Sequence, residues 1–394
     1  MIRVAIIGCG NISGAHIESY LKFNERCKIV ALVDIFPEKA ENKKKEFNLS
    51  EAVVFSSHEE MLESDVQIDL ASNCTPPYVH SSISINCMNK KVNVLVEKPM
   101  ATCLAECDEM LETQKRNGVI LACGAQNRFL NIISRLKELK ETGIAGKVRC
   151  AHVDSLWWRG HCYYDLWWRG TWEKEGGGPT LNHAVHQIDM INWFQKELPV
   201  EVTAVLSNVM HDNSEVEDLS FAILKYADGA LANVTSSVVH HGGLQSVVLQ
   251  CEHAKIAAPF SVAAEKSKPN GFGEPNTELE QEITDKYYAI KELAYEGHDG
   301  QIDNVLNAIE TGTLPLVTGE DGRKTVELIT AIYKSGCTKA TVSLPLNKDD
   351  EFYTFDGIIK NAIRFYEKAN SVEDLGPGEI TMGNYYTMGE TNRK

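Results

Sequence analysis

The N-terminal third of the chain alternates short apolar runs with longer segments of helical spacing. Residues 4–7, 29–33, 68–71 and 92–96 read as buried strands, and 120–123 as a further one. Between them, helices are predicted over 13–23, 37–47, 80–89 and 104–116, with Pro37 where a first helical turn tolerates proline. Strand–helix alternation implies parallel pairing with helices on both faces. After Asn127 the pattern changes. A helix (132–142) leads to a strand (148–156), an aromatic stretch and a helix over 181–194. Strand-like runs follow at 200–206, 220–226, 230–239 and 244–251, joined by short turns such as Asp228-Gly229. These predict an antiparallel sheet. Residues 263–281, polar with Pro and Gly, read as a loop; helices resume at 300–311 and 320–335, and an amphipathic helix at 355–369 precedes a polar, glycine-containing end. The expected fold is α/β: a doubly wound parallel sheet over 1–126, then an α+β domain with a large, mostly antiparallel open sheet over 127–346. A C-terminal extension covers 347–394.

Bulk composition narrows the function classes. The 394 residues carry a formal charge of -16. An acidic surface repels phosphate backbones and anionic lipid, so neither nucleic acid nor membrane is an expected partner. No apolar run approaches the roughly 20 residues of a membrane span. The first apolar run is cut short by Gly8-Cys9-Gly10, too early for a signal peptide. Eleven scattered cysteines suit buried residues of a reduced, cytoplasmic protein, and no metal site is expected. Cys103 and Cys107 share a helix face but have no companion ligands nearby.

Two regions carry candidate chemistry. Gly8-Cys9-Gly10-Asn11-Ile12 follows the first strand and opens the first helix. Such a turn lets backbone approach a pyrophosphate, and the helix N-terminus offers N–H groups to it. Ser13 replaces the third glycine of the usual fingerprint, with Gly14 beside it. Asp34 ends the second strand, where an acid binds a ribose 2′-hydroxyl and repels a 2′-phosphate, favouring NAD over NADP. Val94-Leu95-Val96-Glu97-Lys98-Pro99 places a lysine just past a strand, at the edge where open α/β sheets bind ligands. A strand-end lysine alone is usually a solvated surface residue.

The second region holds all six tryptophans, between Trp157 and Trp193. Leu-Trp-Trp-Arg-Gly occurs twice, at 156–160 and 166–170, followed by Gly176-Gly177-Gly178 and Asn182-His183-Ala184-Val185-His186. Asn182, His186 and Asp189 are spaced for one helix face, and a histidine suits proton removal from an alcohol. The bland alternative is that these groups cap and pin the helix. Tryptophans stack on the apolar face of a pyranose, while Arg159, Arg169, Tyr163 and Tyr164 suit hydroxyls or charge. Trp157 and Trp193 are expected in the core; Trp158, Trp167 and Trp172 stay open to either role.

Together these motifs resemble the Gfo/Idh/MocA oxidoreductases. The resemblance rests on Gly8 to Ile12, Asp34, Cys74-Thr75-Pro76-Pro77 through His80, Glu97-Lys98-Pro99 and the stretch from Gly176 to Asp189, and spans roughly residues 1–346. It implies NAD held by Gly8, Gly10, Asn11, Ile12, Asp34, Thr75, Pro76, His80, Glu97 and Lys98, with Trp168 and Arg169 also near cofactor or substrate. It implies that Lys98 holds the reacting oxygen and His186 takes the hydroxyl proton. Asn182 stands where many members have aspartate, so a proton relay through it is in doubt. The substrate set is Lys98, Arg128, Trp158, Arg159, Tyr163, Tyr164, Asn182, His183 and His186. The resemblance also implies a sugar, glycoside or cyclitol as substrate, and a homo-oligomer (dimer or tetramer) joined through the open sheet. Transient oxidation leading to glycoside cleavage is the alternative. A non-catalytic regulator, as some relatives are, would be expected to lose Lys98 or His186, and both are present.

Overall fold

The computed structural model describes residues 1–373, Leu375 and Tyr386. The glycine-containing end expected after residue 369 lies mostly outside them. Two compact units emerge, interleaved in sequence. The first is Met1–Phe129 with Ala294–Val326 and Tyr353–Phe355. The second is Leu130–Leu293 with Glu327–Phe352 and the described residues from Asp356 onward. The consecutive division at 126/127 and 346/347 does not contain this return of later segments to the first unit.

In the first unit, β1 (Ile2–Ile7), β2 (Cys27–Val33), β3 (Val53–Phe55), β4 (Leu70–Asn73), β5 (Asn93–Val96) and β6 (Leu121–Cys123) form one sheet in the order β3-β2-β1-β4-β5-β6. Every pairing is parallel. The connections carry α1 (Asn11–Lys22), α2 (Pro37–Glu46), α3 (His58–Glu63), α4 (His80–Asn89) and α5 (Leu104–Asn117). This is the doubly wound α/β arrangement. Neither β3 nor α3 was expected, because three and six residues are too few to develop a period. Strand order reverses between β1 and β4, and ligands of open α/β sheets bind at the carboxyl ends of strands at such a point.

The second unit opens with α6 (Asn131–Glu141) and contains α7 (Pro179–Asn182), α8 (Val185–Gln195) and α9 (Thr277–Ala289). Its strands are β7 (Val148–Trp158), β8 (Glu201–Ser207), β9 (Leu219–Lys225), β10 (Leu231–Ser237), β11 (Val239–Cys251), β12 (Ala254–Ala258), β13 (Ser261–Ser267), β14 (Gly273–Pro275) and β15 (Val342–Ser343). They order as β14-β13-β12-β11-β7-β10-β9-β8-β15. Only β7 and β10 pair in parallel. Residues 263–281, read as loop, instead supply most of β13, all of β14 and the start of α9. These strands lie at the sheet edge and are largely exposed, so they need no apolar alternation. The chain then re-enters the first unit with α10 (Gly297–Thr311), whose Ile302, Val305, Leu306 and Ile309 recur at helical spacing and join the core containing Ile17, Tyr20 and Phe23. Finally α11 (Gly319–Thr338) runs from one unit into the other, and α12 (Phe355–Asn361) stops well short of 369.

The helix expected over 181–194 is broken. The Pro179 carbonyl accepts from both His183 N (2.9 Å) and Ala184 N (2.8 Å), a step of four residues and then five. One residue is thereby inserted between α7 and α8, and it turns the following face by about 100°. Asn182 therefore does not share one regular helix face with His186 and Asp189. What fixes this start is Glu217, fully buried, which accepts from Gly178 N (3.1 Å), Thr180 N (3.1 Å) and Tyr333 Oη (3.0 Å). A Cβ on Gly178 would stand 2.0 Å from the Glu217 backbone oxygen. Gly178→Ala is expected to destabilise the protein by about 2–3 kcal/mol through forced backbone displacement, read by urea unfolding; an unchanged midpoint would refute the close packing.

Candidate functional site

Gly8 leaves β1 with φ +89°, and a Cβ there would lie 2.8 Å from both the Cys74 carbonyl carbon and Thr75 N. Only glycine lets this turn pass so close to the one after β4. Asp34 ties the neighbouring turns together: Oδ2 accepts from Cys9 N (2.8 Å) and Oδ1 from Phe36 N (2.9 Å). Each carboxylate oxygen retains a further lone pair. Gly10 caps α1, and no side chain accepts hydrogen bonds from the cap. Asn11 and Ile12 occupy the first turn, whose N–H groups suit a phosphate. A close turn, a helix N-terminus and a strand-end acid fit a dinucleotide.

The turn after β4 is held internally. Thr75 Oγ1 donates to Asn73 Oδ1 (2.6 Å), and Pro76 precedes a short 3-10 turn. His80 is buried with Nδ1 2.7 Å from the Pro99 carbonyl and Nε2 2.7 Å from the Thr75 carbonyl. Burial lowers its pKa while the two carbonyls raise it, the net shift being down. Both ring nitrogens face backbone carbonyls, so His80 links the turn after β4 to the chain that follows β5.

Beside this, Glu97 ends β5 as a buried carboxylate. His16 Nε2 contacts Oε1 at 2.9 Å, and Lys98 N donates to Oε2 at 3.2 Å. His16 Nδ1 meets Ser72 Oγ (2.9 Å), which in turn meets Tyr20 Oη (3.0 Å). Burial alone would raise the Glu97 carboxyl, but the His16 contact outweighs it and holds it far below the usual range. Burial opposes charge on His16 as well; Cys74 and Glu97 overcome it and push the ring up to about 10. The pair is therefore ionic. His298, with its ring 5.4 Å from His16, is instead pushed down to about 4 by burial and by His16, and stays neutral. His16, Glu97 and His298 bring one potential ligand atom each within 4.8 Å of one another. Sequence reasoning missed this trio. The signal was a histidine among Ser13, Ile17 and Tyr20 on the inward stripe of α1, where a polar group needs a partner.

Arg128 is buried in the first unit, with its guanidinium facing Asp321 Oδ1 and the Leu316 carbonyl, both at 3.4 Å.

In the second unit, Asn182 Nδ2 donates to the Gly177 carbonyl (3.2 Å), and His186 is half-buried in the first turn of α8. Burial pushes the Glu217 carboxyl up to about 7, against the pull of the Thr180 and Gly178 donors. The aromatic stretch separates into two classes. Trp172 is fully buried, donates Nε1 to the Ile363 carbonyl (2.9 Å) and meets the Tyr333 ring edge-on. Tyr164 is also core, packed edge-on against His211. Substrate contact by Tyr164 is therefore not supported. Trp158, by contrast, is 47% exposed and stacks on His241.

Between these lies a stack. The Arg169 guanidinium sits 4.2 Å from the ring centres of both Tyr163 and Trp168, and it donates to Glu175 Oε1 (2.8 Å). Its charge is committed inside the loop, which leaves Trp168 as a ring face and Arg169 as its support. His183 faces Trp157 (5.7 Å) and Tyr163 (5.9 Å), and Arg159 covers Trp157 (5.1 Å). The fold thus gathers Arg159, Tyr163, Trp168, Arg169 and His183 beside Trp157, which is buried as expected of a core residue. Trp193 lies elsewhere, beneath Lys137 of α6.

Residues 2–125 match the model of an oxidoreductase family with an NAD-binding Rossmann fold, and residues 133–257 match that family's C-terminal domain. The chain belongs to the Gfo/Idh/MocA oxidoreductase family. Within it, the chain is 26% identical to myo-inositol 2-dehydrogenase of Thermotoga maritima, over 87% of this chain and 98% of that protein. It is 27% identical to the 2,7-anhydro-N-acetylneuraminate hydratase of Escherichia coli, over 59% of this chain and 61% of that one. The first curated relatives are matched over only 61% to 66% of their length. In fold, the WlbA dehydrogenase of Bordetella pertussis, solved with NADH and UDP-GlcNAcA, superposes with a TM-score of 0.75 at 26% identity, covering 88% of this chain and 98% of that one.

The ionic pair makes a pH test available. His16 has a folded pKa above its unfolded value, so its contribution is complete below about pH 6.5 and fades as pH rises towards 10. His16→Gln should cost about 3–5 kcal/mol near pH 6, since Glu97 then stays buried without its partner. That deficit should shrink between pH 6.5 and 10 in parallel urea titrations; a pH-independent deficit would argue against an ionic pair.

Proposed function

We propose that the protein is an NAD-dependent dehydrogenase acting on a secondary hydroxyl of a sugar, glycoside or cyclitol, with pyranose C3 the favoured position. The observation that carries this reading is Lys98. It follows β5 at the carboxyl edge of the parallel sheet, the edge that also carries the Gly8 turn, with its backbone held by Glu97. NAD, when bound, supplies the acceptor for the carbinol hydride. Lys98 holds the reacting oxygen, and its cation stabilises charge as it develops there. His186 takes the hydroxyl proton. Asn182 cannot accept a proton, so its role is to orient. Asp34 binds the ribose hydroxyls and repels a 2′-phosphate. Trp158, Arg159, Tyr163, Trp168 and His183 form the sugar-facing surface. The family membership and the inositol dehydrogenase likeness support the substrate class.

The hydratase relative favours a second reading at the same residues. Oxidising a carbinol to a ketone acidifies the neighbouring C–H, which permits elimination or addition of water or an alcohol. Return of the hydride then leaves no net NADH. The reading extends to a homo-oligomer. Val205, Phe221, Ile223 and Leu231 share one exposed sheet face, with Val205 directly opposite Phe221. Exposed apolar side chains grouped on one sheet face support an interface there.

A panel of sugars, glycosides, cyclitols and nucleotide sugars, read by NADH formation and product NMR, tests the assignment. Lys98→Ala and His186→Ala should each lower turnover by orders of magnitude while NADH still binds. Near-normal turnover in both would sink the mechanism, and glycoside cleavage or hydration without net NADH would select the second reading. Asp34→Ala should raise NADP use relative to NAD; an unchanged preference would remove Asp34 from that role.

A further inference from the structure

The family models match residues 2–125 and 133–257, and well beyond them the chain that follows α12 makes a series of directed contacts in the second unit. Residues 363–372 run along the aromatic loop. The Ile363 carbonyl accepts from Trp172 Nε1 (2.9 Å), and Phe365 N donates to the Glu215 carbonyl (2.9 Å). Lys368 Nζ donates to the Tyr164 carbonyl. Val372 donates to the Asp165 carbonyl (2.7 Å) and accepts from Trp167 N (2.9 Å), a two-sided link of the kind strands make.

Asn213 fastens this segment. Its Oδ1 accepts from Ala369 N and Asn370 N, both at 2.9 Å. Its Nδ2 donates to Asp165 Oδ1 (2.7 Å) and the Asn370 carbonyl (3.0 Å). Two donors and two acceptor sites are all that an amide has, and all are used. The side chain is buried, so each bond is protected from water. Farther on, Tyr386 is buried. Its hydroxyl accepts from Gln187 Nε2 (3.1 Å) and contacts Met190 Sδ (3.5 Å), both on α8 beside His186.

The anchored positions are 164, 165, 167 and 172. They lie on both sides of Trp168 and Arg169 and begin at the residue after Tyr163, the three members of the stack. A loop of this length has high conformational entropy, and its rings keep a fixed face only if its ends are held. We infer that the C-terminal segment is a strap that sets the sugar-facing surface: residues 363–372 fix the aromatic loop, and Tyr386 braces the helix that carries His186. Asn213, Lys368 and Tyr386 are positioning residues; none of them need touch the sugar. The inference rests on the dehydrogenase reading for the identity of the ligand, but not for the mechanical role of the strap.

Asn213→Ala, Lys368→Met and Tyr386→Phe in the full chain test it by three readouts. For the best substrate of the panel, KM should rise at least about fivefold, the equivalent of one lost hydrogen bond. The larger change should fall in KM rather than kcat for the two strap variants, and NADH affinity should stay within about twofold. Hydrogen exchange over residues 161–172 should quicken in Asn213→Ala and Lys368→Met. Should Asn213→Ala not fold, the other two variants carry the test. Unchanged exchange and unchanged KM would overturn the inference. A wild-type protein inert on the whole panel would instead sink the dehydrogenase reading; exchange alone then decides, with quicker exchange supporting the strap and unchanged exchange refuting it.

Discussion

A carboxylate buried at the end of β5 governs the chemistry-bearing edge of the first unit. Removing a charge from water is costly, and Glu97 is tolerated there because His16 and the Lys98 backbone N–H satisfy both its oxygens. The same contacts pin three elements to one another: α1 through His16, β4 through Ser72, and the chain leaving β5 through Lys98. The dinucleotide turn begins α1, and Lys98 is the proposed catalytic cation. One buried ion pair thus ties together α1, β4 and the chain leaving β5, the elements that carry the proposed cofactor and substrate groups. Neutral His298 alongside keeps the cluster from carrying a second buried positive charge.

The second unit repeats the device with a different donor set. Glu217 receives two backbone N–H groups and a tyrosine hydroxyl, and so fixes the glycine-rich approach to α7. The π-type insertion at His183 and Ala184 follows directly, and it changes which residues share a face with His186. In each unit a residue assigned to catalysis follows shortly after a backbone segment held by a buried acid. Rigid support of this sort is what positions a reacting group to within a fraction of an ångström.

The aromatic stretch shows how few of its rings are available to a ligand. Trp172 and Tyr164 fill the core; Trp157 and Tyr163 line a cluster with His183; Trp158 remains broadly exposed. Arg169 between two rings gains cation–π attraction from both faces while Glu175 neutralises it. The repeated Leu-Trp-Trp-Arg-Gly pentapeptide therefore does not produce two equivalent sites. Its first copy ends a strand and its second lies in a loop held by the C-terminal segment.

Periodicity sufficed for five of the six parallel strands, four of the five helices between them and the glycine turn, because each of these is decided by neighbours within a few residues; β3 and α3 were too short to show. Asp34 and Lys98 stood out as candidates for the same reason: strand ends and turn glycines mark where a ligand meets an open sheet. The partners of Glu97 and Glu217 were not visible. Their side-chain pairings span large separations in sequence, from 37 residues for Thr180 and Glu217 to 116 for Tyr333 and Glu217, and no local pattern encodes such a pairing. Nor could the chain show that Arg169 pairs with Glu175, or that the edge strands near 263–281 exist at all. Local spacing determined the elements and the chemical vocabulary. Tertiary structure decided which polar groups are buried together, because only desolvation makes one partner of a charge indispensable.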